Sequence, residues 1–250
     1  MDNKFISIIT CSYNSSQFIK DNINSVNAQT FENYEHIFVD GFSSDGTIEI
    51  IKELTKNKKN IKIIQSNPIG TANAMNIGID NANGEYLLFL NADDFLYSKN
   101  SLKNVANFII NNPGHTWYYG VVDTITKDKK YIYSYPHRLY QKKFFYWVLR
   151  LTFFMQHPAI FYSKKIFLKY GGYDEKLYAM DYEHAIRIGR KEKAKFMDIK
   201  VSNFRLGGIS TTQPDIMEED VKKIYNKYFL FPNFWFFIRK NYIKLSKKII

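Results

Sequence analysis

GEYLLFLNADDFLY, residues 84–97, contains the pattern that decides the fold. Its apolar run, residues 86–90, is typical of a strand buried on both faces, and it stops abruptly at Asn91-Ala92-Asp93-Asp94. Two adjacent carboxylates at the end of such a strand repel each other and lose hydration. Taken alone, the pair is typical of a solvated turn, so its meaning depends on what the rest of the chain places beside it.

The same pattern of a buried strand followed by a helix occurs repeatedly before residue 84. Apolar runs rich in β-branched residues predict strands at 4–14, 34–41 and 60–66. Helical spacing follows at 15–28, 43–57 and 72–82. This alternation predicts an α/β fold with a mostly parallel central sheet flanked by helices. Because ligands of open α/β sheets bind beyond the carboxyl ends of the strands, Asp40 and the pair Asp93-Asp94 should meet at one edge.

The second half of the chain is less regular, with strand patterns at 116–125 and 130–136. Residues 179–191, AMDYEHAIRIGRK, predict a helix whose first turn carries Asp181 and Glu183. No repeat or low-complexity linker interrupts the chain before about residue 215. We therefore expect one domain over residues 1–214 and a helical extension over residues 215–250.

The net charge is +11, and the excess of basic residues is weighted toward the C-terminus. Asp220 is the last acidic residue, and the basic residues after it are interleaved with aromatic ones: Lys222, Lys223, Lys227, Arg239, Lys240, Lys244, Lys247 and Lys248. Two interpretations are open, namely a helix packed on its own domain and a basic aromatic segment in the interface of an anionic membrane. Nucleic-acid binding fits poorly, since the acids cluster at strand ends and the bases in the tail.

The sequence lacks the motifs of several common kinds of functional site. The lone Cys11 excludes a disulfide framework and a cysteine-based zinc site. No phosphate-binding glycine loop of the P-loop type and no GxGxxG follow the first strand, so ATP hydrolysis and nicotinamide chemistry lack support. The N-terminus leads directly into a strand pattern, so no signal peptide is expected. The remaining candidates are the carboxylates, which suit a divalent cation or a sugar hydroxyl.

Six stretches, taken in order, resemble the family-2 glycosyltransferases, and more closely the bacterial branch that builds polysaccharide and O-antigen repeat units. They are SIITCSYN, IFVDGFSSDGTIEII, GTANAMNIGIDNANGEYLLFLNADD, HPAIFYSKKIFLKYGGYDEKL, MDYEHAIRIGRK and FRLGGIS, and they cover roughly residues 5–210. The resemblance implies the GT-A fold, with a nucleotide-binding half over about 1–97 and an acceptor half over about 98–214. It also implies inverting transfer of a sugar from a nucleotide donor.

The resemblance implies a role for each matching position. Ser12, Tyr13, Asp40, Asn73 and Asp93 would bind the nucleotide sugar, with Asp40 at the uracil and Asp93 near the ribose. Asp94 would bind Mn²⁺ or Mg²⁺, and Asp181 would be the catalytic base. Further residues, near the acceptor or the diphosphate, would be Glu183, His157 and Arg205. Three positions depart from the family pattern, because Asn91 and Asn73 replace frequent charged residues and Phe42 replaces a glycine.

The resulting prediction is a metal-dependent transferase on the inner face of a bacterial plasma membrane. Its partners would be a UDP-sugar, a lipid-linked saccharide acceptor and an anionic membrane surface contacted by the C-terminal extension. A sugar nucleotidyltransferase is an alternative, although the glycine-rich loop expected after its first strand is missing. The other alternative is a degenerate binding module without transfer activity, which Asn91, Phe42 and Asn73 favour and the retained aspartates oppose.

Overall fold

The computed structural model describes residues 4–136, 145–189, 191–208 and 214–246. Residues 209–210 of the FRLGGIS stretch and 247–250 of the predicted extension lie outside that set. The first half forms four parallel strands in the order β3-β2-β1-β4. They are β1 (Ile6–Ser12), β2 (Tyr34–Asp40), β3 (Ile61–Gln65) and β4 (Tyr86–Phe89), joined by helices α1 (Ile19–Asn27), α2 (Thr47–Thr55) and α3 (Thr71–Asn81).

The sheet continues beyond β4 with strands from the second half. They are β5 (Phe95–Leu96), β6 (Trp117–Ile125), β7 (Tyr131–Tyr135), β8 (Ile160–Ser163) and β9 (Ala194–Arg205), in the order β4-β8-β6-β9-β5 with β7 paired to β6. Strand β8 is antiparallel to both β4 and β6, whereas β6 and β9 are parallel. Consequently β6 and β9 run in the same direction as β1–β4, and the predicted mostly parallel α/β sheet is confirmed.

Helices cover both faces of this sheet. Besides α1–α3 they are α4 (Ser101–Asn111), α5 (Phe145–Leu149), α6 (Lys164–Tyr170), α7 (Met180–Gly189), α8 (Pro214–Tyr228) and α9 (Pro232–Ser246), with a 3₁₀ turn at His157–Ala159. Helix α8 buries Val221, Ile224 and Tyr225 in the same core as the sheet residues Leu87 and Phe89. The predicted extension is therefore helical, and its first helix is part of the main core.

A glycine before β4 allows the close approach that aligns β4 with β1. A Cβ on Gly84 would lie 2.4 Å from the main-chain nitrogen of Ser7, so only glycine fits there without a backbone shift. The N–H of Gly84 donates to Ser7 Oγ, and that hydroxyl donates to the buried carboxylate of Glu35. These contacts fix where β4 ends, and hence where the Asp93-Asp94 turn lies relative to the end of β1.

Candidate active site

The turn after β4 places its two carboxylates in different environments. Asp94 is fully buried, its Oδ1 accepts the main-chain N–H of Arg205 at 2.8 Å, and its Oδ2 accepts the Asn91 amide at 2.8 Å. Burial, and then the charge of Asp93, raises the pKa of Asp94 well above its usual range. Each oxygen of Asp94 accepts one hydrogen bond from the protein, and the cation contact predicted for Asp94 stays a prediction.

Asp93 has the more open carboxylate of the two. Its side chain is half-buried, and burial raises its pKa, while its own main-chain N–H and the charge of Arg205 lower it. A half-buried carboxylate whose ionised form is only partly compensated is a strong ligand for a cation or a hydroxyl group. The structure thus brings the predicted pair together, with Asp94 turned inward and Asp93 facing outward.

Arg205, the last residue of β9, stabilises this turn from the interior. Its Nε donates to the carbonyl of Asp93 at 3.0 Å, and its Nη2 pairs with Asp21 Oδ2 at 2.9 Å. Its Nη1 donates to the carbonyl of Lys127, and the guanidinium lies 4.7 Å from the ring centre of Phe18. The side chain is 2% exposed and each of its nitrogens has a protein partner, so the structure gives Arg205 a role in holding the turn, and the diphosphate contact predicted for it stays a prediction.

Another carboxylate lies at the end of β2, which is separated from β4 by β1. Ser12 of β1 and Asp40 of β2 are opposite each other in the β1–β2 register. Asp40 is fully buried and accepts Ser12 Oγ at 2.8 Å, Ser43 Oγ at 2.7 Å and the main-chain N–H of Ser43 at 2.9 Å. An ionised carboxylate can accept about four hydrogen bonds, so one position remains for an N–H of a ligand. The nucleotide contacts predicted for Ser12 and Asp40 stay predictions that this geometry allows.

Two aromatic side chains lie open beside Asp40. The ring of Tyr13 is 59% exposed and covers Gly41 so closely that a Cβ there would meet Tyr13 Cδ2 at 3.0 Å. Phe42 is 54% exposed and has a left-handed φ of 57°, the conformation that a glycine would adopt without strain. Exposed ring faces of this kind can stack on a flat base.

Asp181 lies in the first turn of α7, where the helix dipole favours a carboxylate. Its Oδ1 accepts the N–H of Tyr182 at 2.8 Å. Burial raises the pKa of Asp181 to about 6. Burial, and then the charge of Asp181, also raises the pKa of Tyr162, so the two side chains are close. A carboxylate with this pKa is ionised at neutral pH yet more basic than an ordinary aspartate, which suits proton abstraction.

His157 is connected to the surroundings of Asp181 through Tyr173. Its Nε2 is 2.8 Å from the Tyr173 hydroxyl, and its ring stacks on Phe89 at 4.8 Å. Burial lowers the pKa of His157 to about 3, so the imidazole is neutral. It is 6% exposed, and the acceptor contact predicted for it stays a prediction.

The carboxylate of Glu183 joins two helices. It is buried and forms ion pairs with Arg187 at 3.0 Å and with Lys227 of α8 at 3.2 Å, and it accepts the hydroxyl of Tyr228. Residues two apart on a helix point to different sides, so Asp181 and Glu183 do not share a face. The structure gives Glu183 a role in fastening α8 to α7, and the supporting role predicted for it at the acceptor stays a prediction.

Asn73 lies in the first turns of α3 and contacts a carboxylate that the sequence did not single out. Its amide is 3.2 Å from both carboxylate oxygens of Glu175, and the Asn76 amide donates to the same group at 3.0 Å. Helix α3 is thereby joined to the segment between α6 and α7. The donor contact predicted for Asn73 stays a prediction.

Comparison with known proteins decides the family. Residues 7–171 match the model of Glycosyl transferase family 2. The chain belongs to this family. A PGL/p-HBAD biosynthesis glycosyltransferase of Mycobacterium bovis is 31% identical over 216 residues, which cover 84% of this chain and 80% of that protein. Two uncharacterized glycosyltransferases of Haemophilus influenzae match over less, and the chain spans only 28% and 45% of their lengths.

Solved structures show that the family-2 chain has the predicted GT-A fold. The Staphylococcus aureus TarS fragment 1-349 in complex with UDP-GlcNAc matches with a TM-score of 0.74 at 20% identity, over 96% of this chain and 71% of that one. The mannosyltransferase PcManGT of Pyrobaculum calidifontis, in complex with GDP-Man and Mn²⁺, matches with a TM-score of 0.65 at 17% identity, over 89% and 63%.

Several residues of this family-2 site were missed by sequence reasoning. Ser43 binds Asp40 from three positions away, a local pattern that serines in turns often form and that the sequence could have revealed. Asp21 pairs with Arg205 across 184 positions, and no spacing rule predicts such a contact. Asp220 of α8 accepts the N–H groups of Tyr178 and Ala179, and so holds the segment just before Asp181.

Proposed function

We propose that this family-2 protein is an inverting glycosyltransferase that moves a sugar from a UDP-sugar to a hydroxyl of a saccharide acceptor. The observation that carries the proposal is Asp181, a single carboxylate whose burial raises its pKa to about 6. Inversion by direct displacement requires one base on the acceptor hydroxyl, whereas glycoside hydrolysis uses a pair of carboxylates. A base placed in this way contributes about 10²–10⁴-fold to the rate.

The donor would lie along the ends of β1, β2 and β4. Asp40 offers its remaining acceptor position to an N–H of the base, and Tyr13 offers an open ring face for stacking. Uridine is preferred over guanosine here because TarS, whose structure holds UDP-GlcNAc, covers more of this chain than the GDP-Man complex does. The half-buried Asp93 would face the ribose and the diphosphate.

A divalent cation fits this site through Asp93. Groups of three or more acidic, histidine or cysteine ligands are absent from the part of the chain that the structure describes. Mg²⁺ and Mn²⁺ bound with a nucleotide need only one or two carboxylates, because phosphate oxygens and water complete their coordination. Such a cation supplies charge that stabilises the departing diphosphate. We therefore assign the direct metal contact to Asp93, and to Asp94 the role of holding the turn.

We also propose that the acceptor is a lipid-diphosphate-linked saccharide used in cell-surface polysaccharide or O-antigen synthesis. The enzyme would then act on the inner face of a bacterial plasma membrane. The support is the apolar and basic surface of α8 and α9, since an enzyme with a lipid-linked acceptor must work at the membrane surface.

A donor screen with matched variants tests the proposal. UDP- and GDP-sugars would be supplied with Mn²⁺ and a synthetic lipid-diphosphate sugar, and nucleotide release and product would be measured. We expect UDP-sugars to be used, Asp181→Asn to lose transfer while retaining UDP binding, and Asp174→Asn on the preceding segment to keep transfer. Asp93→Asn should abolish the Mn²⁺-dependent part of UDP binding in calorimetry. If the wild type binds UDP but neither transfers nor hydrolyses any donor, the degenerate binding module is the correct description.

A further inference from the structure

The α8–α9 hairpin exposes large apolar side chains at one end. We define the hairpin tip as Leu230, Phe231, Phe234 and Phe237, which are 84%, 77%, 56% and 65% exposed. Phe234 and Phe237 are three residues apart on one side of α9, and Leu230 and Phe231 precede them in the turn. A contiguous group of exposed aromatic rings marks an interaction surface, unlike single apolar residues scattered over a protein.

The backbone of the tip is strained in a way that keeps one of these rings exposed. Phe231 has φ of 59°, in the left-handed region that costs a residue with a side chain about 1 kcal/mol or more. Glycine would occupy this turn without that cost. A bulky aromatic side chain in a glycine conformation, pointing into solvent, destabilises the free protein and is consistent with a contact that the ring makes elsewhere.

The rest of the hairpin is rigidly attached to the protein. Tyr225 and Phe229 are buried in the main core, and their rings contact each other at 4.9 Å. The ring of Trp235 lies 6.3 Å from that of Phe229, and the Arg150 guanidinium lies 4.8 Å from Trp235 and 5.1 Å from Phe229. The aromatic residues on the inner side of the hairpin therefore have partners, whereas the tip faces outward.

The charged residues that follow Asp220 in the sequence are all basic. Three of them pair with acids of the neighbouring helices, Lys223 with Asp220, Lys227 with Glu183 and Lys240 with Glu218. From residue 221 to 246 the chain has no Asp or Glu, and its cations are Lys222, Lys223, Lys227, Arg239, Lys240 and Lys244. Two of them flank the inner ring of Phe236, with the ammonium groups of Lys222 and Lys240 at 5.4 and 5.1 Å from its centre. At a lipid surface the apolar side chains of the tip would enter the interface. The lysines behind them would then lie at the level of the anionic headgroups.

We infer that the hairpin tip docks this protein onto an anionic lipid bilayer, with the four apolar side chains in the interface and the cations at the level of the headgroups. Among the residues that the structure describes, no helix is long and apolar enough to cross a membrane. The contact is thus one of lying on the membrane, driven by apolar insertion and by charge together. The inference concerns the hairpin alone and does not depend on the proposed transfer reaction.

Vesicle co-sedimentation of the full chain, without donor or acceptor, tests the inference. The wild type should bind vesicles of phosphatidylcholine mixed equally with phosphatidylglycerol, bind pure phosphatidylcholine weakly, and dissociate from the mixed vesicles at high salt. Phe231→Gly should weaken binding about tenfold, as expected for loss of one inserted ring. Its melting temperature should stay the same or rise, because the left-handed strain is relieved. Binding and stability would then change in opposite directions, which a folding defect cannot produce.

Matched variants make the test specific. Phe42→Gly is the same substitution at another left-handed, exposed phenylalanine, and it should leave vesicle binding unchanged. Replacing Lys222 and Lys240 by Gln should reduce binding to the anionic vesicles only. The same change at Lys56 and Lys58, which follow α2 and lie outside the hairpin, should not reduce it. The inference would be overturned if each control variant lost as much vesicle binding as its matched hairpin variant, or if the wild type did not bind the vesicles. A dimer in sedimentation velocity that Phe231→Gly dissociates would instead assign the tip to a second copy of the chain.

Discussion

Replacing Asp181 by Asn should make the protein more stable while it removes transfer. Burial raises the pKa of this carboxyl from its usual 3.8 to about 6, so the ionised form is less favourable in the folded protein than in the unfolded chain. Each pKa unit corresponds to about 1.4 kcal/mol, and the whole difference amounts to about 3 kcal/mol at about pH 8. Asparagine removes the buried charge and can still accept the N–H of Tyr182.

Because burial raises the pKa of Asp181, the stability of the wild type depends on pH. Between about pH 4 and pH 6 the folded wild type binds more protons than the unfolded chain, so its stability falls as the pH rises through this window. Above about pH 6 Asp181 is ionised in the folded and the unfolded chain, and the destabilisation has its full value. Below about pH 4 it is protonated in both, and the destabilisation is absent. The gain from Asp181→Asn should therefore be about 3 kcal/mol at about pH 8, and about half of that at about pH 5.

Urea unfolding at both pH values, with transfer measured on the same samples, is the assay. Asp174→Asn is the control, because the pKa of Asp174 is shifted in the opposite direction. Burial raises that pKa, but the N–H of Lys176 and the ammonium of Lys227 lower it by more. That variant should lose a little stability instead of gaining it. The reasoning is refuted if Asp181→Asn is no more stable than the wild type at about pH 8, or if its gain is the same at both pH values. Transfer within a few-fold of the wild type would refute the role of base.

Three further substitutions test how the carboxylates at the strand ends are held. Asn91→Asp replaces an amide that donates to Asp94 at 2.8 Å by a like charge, so we expect a loss of about 1–3 kcal/mol that added Mn²⁺ reduces, measured by thermal unfolding with and without the metal. Arg205→Met should cost about 3 kcal/mol in urea unfolding, because it leaves the Asp93-Asp94 turn without its buried cation; unchanged stability would contradict the role given to Arg205. Ser43→Ala removes a donor to Asp40 and should weaken UDP binding in calorimetry, with about 1–2 kcal/mol lost from unfolding; tighter UDP binding would show that Ser43 competes with the nucleotide.

The parallel half of the fold was predictable because its strands are continuous apolar runs and its helices have regular spacing. The predicted strands at 4–14, 34–41 and 60–66 contain β1, β2 and β3, and the apolar run before Asp93 contains β4. Strand β9 was not predicted, because polar and apolar residues alternate only over residues 198–202 of Ala194–Arg205, and the residues on either side interrupt the pattern. Its position is set by pairing with β6, a contact between segments far apart in sequence.

The candidate site was predictable as a set of positions, whereas the direction of each side chain was not. That Asp40 and Asp93 lie at the same edge of the sheet follows from the parallel direction of β2 and β4, which flank β1. Which of Asp93 and Asp94 faces outward depends on hydrogen bonds from Asn91 and from the end of β9, and neither is visible in a linear pattern. The different sides occupied by Asp181 and Glu183 could have been read from their spacing on one helix.

Helix α8 connects the segment before Asp181 to the hairpin tip, so its length sets the distance between them. Asp220 accepts two N–H groups of the segment that leads to Asp181. Eight residues of helix, about 12 Å, separate Asp220 from Tyr228, the last residue of α8 before the hairpin tip. If the tip marks the lipid surface, the length of this helix sets the height at which an acceptor hydroxyl can be reached. Removing one turn would lower the base by about 5 Å, roughly the length of one sugar ring, and should shift the preferred acceptor toward a shorter glycan.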